Sequence, residues 1–298
     1  MQERQCVQAA WASSSHEQEV AGMQVGFIGT GSMGTILIES LLKAGVLAPR
    51  HITAANRTAR KAEQLAERYP GMRVAYSNAE AAEGNDIVFL CIKPHEFRTV
   101  LKEIKRTVND RQIVVSITSP VTIGSLESWL PAKIAKVIPS ITNYMLSGAL
   151  LCMYGERLSP ADIAGLERLL SAIGRPVQVN ERFTRVSSDI SSCGPAFFSF
   201  LLQKFIDAAA VETGIPRAEA ERLACEMLRG TGTLLTEGGL SPEDVQYRVA
   251  VPGGITAKGL KLMEESVGDL FHRLIGITHA KYYDEMERAA SSLDSSSD

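Results

Sequence analysis

No apolar run in this chain of 298 residues reaches the roughly 18 that a membrane-crossing helix needs, and the first 22 residues lack the apolar stretch of a secretory signal. Basic excess is missing too. Lys and Arg number 31 against 34 Asp and Glu, a net charge of −3, so neither a nucleic acid nor a membrane surface is an expected partner and a small molecule is the default ligand. The five cysteines (Cys6, Cys91, Cys152, Cys193, Cys225) are odd in number and scattered, with no close pair to suggest a zinc site or redox motif. They read as reduced thiols of a cytoplasmic protein. The five histidines form no triad or ligand pattern, so no metal is expected. There is no internal repeat.

What is present begins at residues 23 to 34, Met-Gln-Val-Gly-Phe-Ile-Gly-Thr-Gly-Ser-Met-Gly. Val25, Phe27 and Ile28 read as a short buried strand, and Gly29, Gly31 and Gly34 follow at G-x-G-x-x-G spacing before an apolar helix from about Met33 to Ala44. Gly29 permits a tight turn, Gly31 lets a pyrophosphate approach the backbone, and Gly34 lets the helix lie close to the strand. The N–H groups at the helix start, those of Ser32 and Met33 included, would hold the anion. The spacing alone is a weak signal. Its place between a strand and a helix, at the head of an alternating β/α stretch, favours a dinucleotide site over a merely structural turn.

The alternation continues. Strands are expected at 51–55, 74–76, 86–92, 112–117 and 133–138, with further candidates at 149–154 and 176–179; helices are expected at 58–68, 78–83, 96–108, 123–129 and 160–173. This pattern specifies an α/β fold, a Rossmann-type doubly wound parallel sheet, over 23–180. From about Glu181 no further strand-like run appears, and helices at 195–212, 217–236, 256–265 and 267–287, with a short one after Ser241, make an all-helical domain over 181–290. The first two are too apolar all round to be solvated. Burial in a homodimer is the expected solution; a helical cap on the chain's own sheet domain is the alternative. Met23 sits where a dinucleotide-binding chain ordinarily begins, so residues 1–22 are expected to be a disordered extension from an upstream start codon, and 291–298 a disordered tail.

NAD preference in such a fold is usually set by an acid at the end of the second strand, which binds the ribose 2′-hydroxyl. Here that place reads Ala55-Asn56-Arg57-Thr58, offering a cation and hydrogen-bond donors to a 2′-phosphate. NADP(H) is therefore the expected cofactor; if Arg57 is an ordinary solvated arginine, NAD(H) remains possible. Ligands of doubly wound sheets lie off the carboxyl ends of the strands, so the backbone of Cys91, Ile92, Lys93 and Pro94 should border the cofactor. Lys93 either serves the cofactor or marks the strand end.

The glycine turn, Lys93-Pro94, Ser192-Cys193-Gly194-Pro195-Ala196, Gly214-Ile215-Pro216-Arg217 and Val251-Pro252-Gly253-Gly254-Ile255-Thr256 together resemble, in order and spacing, the pyrroline-5-carboxylate reductases. The likeness covers residues 23 to about 288 and leans toward a divergent late-competence branch of that family. It implies a Rossmann domain on a helical dimerisation domain, with the active site completed by the partner's helices and a cyclic imine, Δ1-pyrroline-5-carboxylate, reduced to L-proline by NAD(P)H. Such an imine needs only a hydride and one proton, so the site can lack a catalytic His, Lys or Cys. The resemblance implies that Thr256 hydrogen-bonds the imine nitrogen, that Gly253, Gly254 and the N–H groups after them take the substrate carboxylate, that Asn78 stands near the cofactor, and that Ser188, Cys193, Val251 and Ile255 lie on the substrate side.

Departures from the family pattern are equally specific. Its Pro-Asn-Thr-Pro is here Pro139-Ser140-Ile141-Thr142, Ser-Pro-Gly-Gly-Thr-Thr is Val251 to Thr256, Ser-Gly-Ser-Gly-Pro is Ser191 to Pro195, and an Ala-Gly after Ile117 is Ser119-Pro120. Each lost hydrogen bond to a charged group costs roughly 1.5 to 3 kcal/mol. Two readings follow: an NADPH-dependent imine reductase, or a regulatory protein that binds NADP(H) with little turnover. The β-hydroxyacid dehydrogenases share the two-domain plan but need a catalytic lysine followed four residues later by asparagine. Lys204 is followed at that distance by Ala208, so Lys204 reads as a surface lysine.

Overall fold

The computed structural model of the chain describes residues 22–294. The expectation for residues 1–22 lies almost wholly outside them. Eight strands form one sheet in the order β3-β2-β1-β4-β5-β6-β7-β8: β1 Val25–Ile28, β2 Ile52–Ala55, β3 Arg73–Ala75, β4 Ile87–Leu90, β5 Ile113–Ser116, β6 Lys133–Ile138, β7 Ala149–Tyr154 and β8 Arg175–Gln178. Strand order reverses between β1 and β4, which opens a crevice at their carboxyl ends. The helices of this layer are α1 Ser32–Lys43, α2 Ala59–Arg68, α3 Asn78–Ala82, α4 Phe97–Ile104, α5 Ile123–Trp129, α6 Pro160–Ser171 and α7 Thr184–Ser188.

The central strands are buried on both faces because successive side chains feed two separate cores. Phe27, Phe89 and Val115 pack with Leu37, Ile38 and Leu41 of α1 and with Leu166 and Leu169 of α6. Their neighbours Ile28, Val88, Leu90 and Val114 pack with Phe97 and Leu101 of α4 and Leu126 of α5. Phe27 and Phe89 stack with ring centroids 5.0 Å apart. Each such side chain contributes about 1.5 to 3 kcal/mol by burial, which holds the carboxyl-end loops on a rigid base.

Strands β1 to β6 pair in parallel, as the alternation suggests, and β7 runs antiparallel to β6. The connection between them carries only a 3₁₀ turn over Ile141–Met145, and a parallel pair would need a long crossover. His51, expected in β2, closes a 3₁₀ turn over Pro49–His51 instead.

By compactness the chain forms two units, one of residues up to Cys193 with those from Thr278, the other of residues 194–277. Polar contacts tie residues 181–192 to the sheet. Fully buried Lys136 on β6 pairs with Glu181 at 3.0 Å, Ser140 Oγ donates to the Ser191 carbonyl at 3.0 Å, and Ser192 Oγ donates to that of Pro139 at 3.0 Å.

The second unit holds α8 Gly194–Thr213, α9 Arg217–Thr236, α10 Pro242–Val249 and α11 Ile255–Val267, and α12 Leu270–Asp294 crosses from it into the sheet unit. Ala289 and Leu293 of α12 are buried with the second of the two cores, so residues 291–294 are helix rather than tail; 295–298 lie outside the described residues. The buried core of the helical unit consists of Ile206, Ala220 and Ala224. Phe198, Phe205, Leu223, Met227 and Met263 are all about half exposed or more. Apolar surface of this extent marks a face suited to association with another chain. No helix among the described residues is long and apolar enough to cross a membrane.

Candidate functional site

The carboxyl ends of β1, β2 and β4 and the loops after them enclose an open cleft of about 1190 Å³. Its floor is the glycine turn. Gly29 has φ +105°, a region that favours glycine, and a Cβ there would collide with the Cys91 carbonyl. A Cβ on Gly34 would collide with the Gly29 carbonyl and meet Cys91 Cβ at 3.1 Å, so this glycine sets how close α1 lies to the sheet. Among the described residues, a Cβ on Gly31 would meet nothing within 4 Å. Packing therefore explains two of the glycines, and the third faces open cleft.

Gly31 is also the N-cap of α1, and the helix start has no side-chain cap and no acid in its first turn. First-turn N–H groups without such a cap bind anions, aided by the positive end of the helix dipole. The residues present thus fit a dinucleotide pyrophosphate at this place.

Asn56 does something the sequence does not suggest. Its Oδ1 accepts the N–H of Thr30 at 2.9 Å and its Nδ2 donates to the Thr58 carbonyl at 3.2 Å. Thr30 is buried, and a buried N–H needs a partner. Asn56 thereby ties the loop after β1 to the loop after β2. Arg57 reaches across the cleft to Glu96, Nη1 to Oε1 at 2.9 Å, while remaining 86% exposed. Glu96 Oε2 accepts the Lys93 N–H at 3.0 Å and so caps the 3₁₀ turn Pro94–Glu96. Beside them Asn78 Nδ2 donates to Glu103 Oε2 at 2.6 Å. Thr118 Oγ1 donates to the Ile92 carbonyl at 2.7 Å, which fixes the loop after β4. Desolvation beside the glycine turn raises the pKa of the Cys91 thiol, although the residue keeps part of its surface on the cleft.

Of the cofactor residues expected from sequence, Gly29, Gly31, Ser32, Met33, Gly34, Asn56, Arg57, Thr58, Asn78, Cys91, Ile92 and Lys93 all line this one cleft. Pro94 does not; it stands behind the lining as the first residue of the 3₁₀ turn. Sequence reasoning missed Thr30, Glu96 and Thr118. Only Glu96 carried a signal, an acid three residues after the N-cap of a proline-opened turn.

The expected substrate residues fall in two groups. Ser188 ends α7, buried, with no hydrogen-bond partner for its Oγ among the described residues, and Cys193 ends a π-helical turn over Asp189–Cys193 with its Sγ 3.2 Å from Arg185 Nη2. Val251, Gly253, Gly254, Ile255 and Thr256 belong to the helical unit. Gly253 has φ +74°, Gly254 is the N-cap of α11 with no side-chain cap, and the first turn holds no acid. Thr256 is exposed, and the flanking Val251 and Ile255 are 68% and 93% exposed.

Comparison with known proteins matches the two parts of the chain to two families. The family described as NADP oxidoreductase, coenzyme F420-dependent, matches residues 24–120, and that described as pyrroline-5-carboxylate reductase dimerisation matches residues 181–284. ComE operon protein 4 of Bacillus subtilis is 40% identical over 264 residues, 89% of this chain and 97% of that protein. Pyrroline-5-carboxylate reductase 3 of Danio rerio is 30% identical over 254 residues, 85% of this chain and 87% of that one. In fold, the crystal structure of Plasmodium falciparum pyrroline carboxylate reductase with NADP bound is similar at TM-score 0.76 and 22% identity, over 91% of this chain and 98% of that one. A glycine turn open to an anion, a β2 end with arginine in place of an acid, and relatives matched over nearly their whole length agree: the chain belongs to the pyrroline-5-carboxylate reductase family of NAD(P)-dependent oxidoreductases.

Proposed function

We propose that this protein is a cytoplasmic homodimer that reduces a cyclic imine with NADPH, Δ1-pyrroline-5-carboxylate to L-proline or a close relative of that pair. The observation that carries the cofactor half is the open backbone at Gly31 beside an uncapped helix start, with Arg57 where an NAD-selective fold has an acid. In this reading the first turn of α1 holds the pyrophosphate, and Arg57 and Thr58 meet the 2′-phosphate. When bound, NADPH would supply the hydride that the imine carbon takes up. The uncapped start of α11 at Gly253 and Gly254 would orient the substrate carboxylate, and the Thr256 hydroxyl would hydrogen-bond the imine nitrogen, which takes its proton from water.

A second reading is a regulatory protein that binds NADP(H) with little turnover. Val251 and Ile255 favour it, since two exposed apolar side chains flank the expected carboxylate pocket where the family has hydroxyls. Oxidation of NADPH by purified protein over a panel of cyclic imines separates the two. Turnover of any imine supports the reductase; tight NADPH binding with no turnover across the panel leaves the regulatory reading. Arg57→Ala should weaken NADPH selectively, and equal losses for NADPH and NADH would remove the role given to Arg57.

A further inference from the structure

Arg57 is the expected reader of the 2′-phosphate, yet it does not stand alone in the cleft. Glu96 Oε1 accepts its Nη1 at 2.9 Å, across 39 residues of sequence. The carboxylate is itself held in place, because Glu96 Oε2 accepts the Lys93 backbone N–H at 3.0 Å and Glu96 is only 25% exposed. A fixed negative charge thus sits 2.9 Å from the cation assigned to the 2′-phosphate. Both residues line the cleft together with Thr58 and Lys61.

We infer that Glu96 is a specificity-determining residue that narrows the preference of the site for NADPH over NADH. The inference rests on the NADP(H) reading above. A guanidinium is a planar fork, so with Nη1 on Glu96 its other edge remains free for a phosphate, and Arg57 is 86% exposed and accessible. The phosphate must then share its cation with a carboxylate of like charge. A 2′-hydroxyl meets the opposite situation. It can donate to a carboxylate, which is what the acid at the end of β2 does in NAD-selective turns. Here that carboxylate is supplied from the loop after β4, in addition to the arginine. Glu96 therefore opposes the phosphate and accepts the hydroxyl, and the pair permits either cofactor.

The test is equilibrium titration of wild type and Glu96→Gln with NADPH and NADH, followed by nicotinamide fluorescence. Glutamine keeps an oxygen for the Lys93 N–H, so the turn is retained while the charge is lost. Repulsion across a guanidinium in a wet cleft corresponds to roughly a three- to tenfold effect, so the ratio Kd(NADH)/Kd(NADPH) should rise by that factor. The rise should shrink at high salt, because the groups are partly exposed. Glu96→Ala, which removes the charge and the cap together, should move the ratio the same way. A ratio that is unchanged or falls in both variants, with wild type still preferring NADPH, overturns the inference and leaves the cofactor reading standing. Failure of wild type to bind either dinucleotide overturns both.

Discussion

Gly31 and Gly34 lie in one turn, yet a methyl group added to each should act on different properties. At Gly34 the new Cβ collides with the Gly29 backbone carbonyl, which has no rotamer by which to escape, and it also presses on Cys91 Cβ at 3.1 Å. Helix α1 has to move off β1, where Leu37, Ile38 and Leu41 are buried. Overpacking of this kind costs about 1 to 3 kcal/mol, or roughly 2 to 12 °C in melting temperature for a domain of this size. At Gly31 the backbone is ordinary extended chain, φ −73° and ψ −169°, with nothing within 4 Å of a Cβ. Gly31→Ala should therefore fold to within about 1 kcal/mol of wild type, the remaining loss coming from alanine at an N-cap. Cofactor binding should separate the two properties further. If a pyrophosphate approaches this backbone, the methyl disturbs at least one hydrogen bond to a charged group, worth about 1.5 to 3 kcal/mol, which is a roughly 10- to 150-fold weaker Kd. Thermal unfolding without cofactor and fluorescence titration with NADPH read the two effects separately. Wild-type NADPH affinity in Gly31→Ala would refute the assignment of that space to the cofactor, and a wild-type melting temperature in Gly34→Ala would refute the packing argument.

Three further outcomes are expected. Glu181→Ala should cost about 3 kcal/mol, more than Lys136→Met, because it leaves the fully buried Lys136 ammonium unpaired, whereas Glu181 is 34% exposed and can hydrate. Burial already lowers the Lys136 pKa, so the unfolded chain holds that proton more firmly. The deficit of Glu181→Ala should be largest below the folded pKa and ease as pH rises through it, as urea unfolding at several pH values would show. The exposed Phe198, Phe205, Leu223 and Met227 should be covered in a homodimer, and a folded monomer at micromolar concentration in sedimentation would contradict this. Thr256→Val should lower imine turnover and spare NADPH binding, while Val251→Ser with Ile255→Thr should raise activity on pyrroline-5-carboxylate; a double variant no faster than wild type favours the regulatory reading.

Much of the site was legible because it is built from local chemistry. A glycine at φ +105° between a buried strand and a helix needs only its immediate neighbours, and an uncapped helix start follows from Gly31-Ser32-Met33. The ends of β6 and α5 were legible for the same reason, since apolar periodicity and turn residues act over a few positions. The direction of β7 was not. It depends on how short a connection follows Ile138, and apolar runs look alike in parallel and antiparallel strands.

The sequence by itself determined that a dinucleotide turn heads an α/β sheet, that an arginine stands where an acid would select NAD, and that helices too apolar for water follow. Each is a property of residues within one turn or one strand–turn–helix unit. Only tertiary structure decided what those residues are tied to. Asn56 is committed to Thr30 across 26 residues, Arg57 to Glu96 across 39, and Lys136 to Glu181 across 45, while Leu293 returns to the sheet core from the far end of the chain. Partners so distant in sequence are chosen by the packing of strands and helices between them. No local pattern of residue types encodes that choice, because it is settled by which buried donor or charge would otherwise be left without a partner.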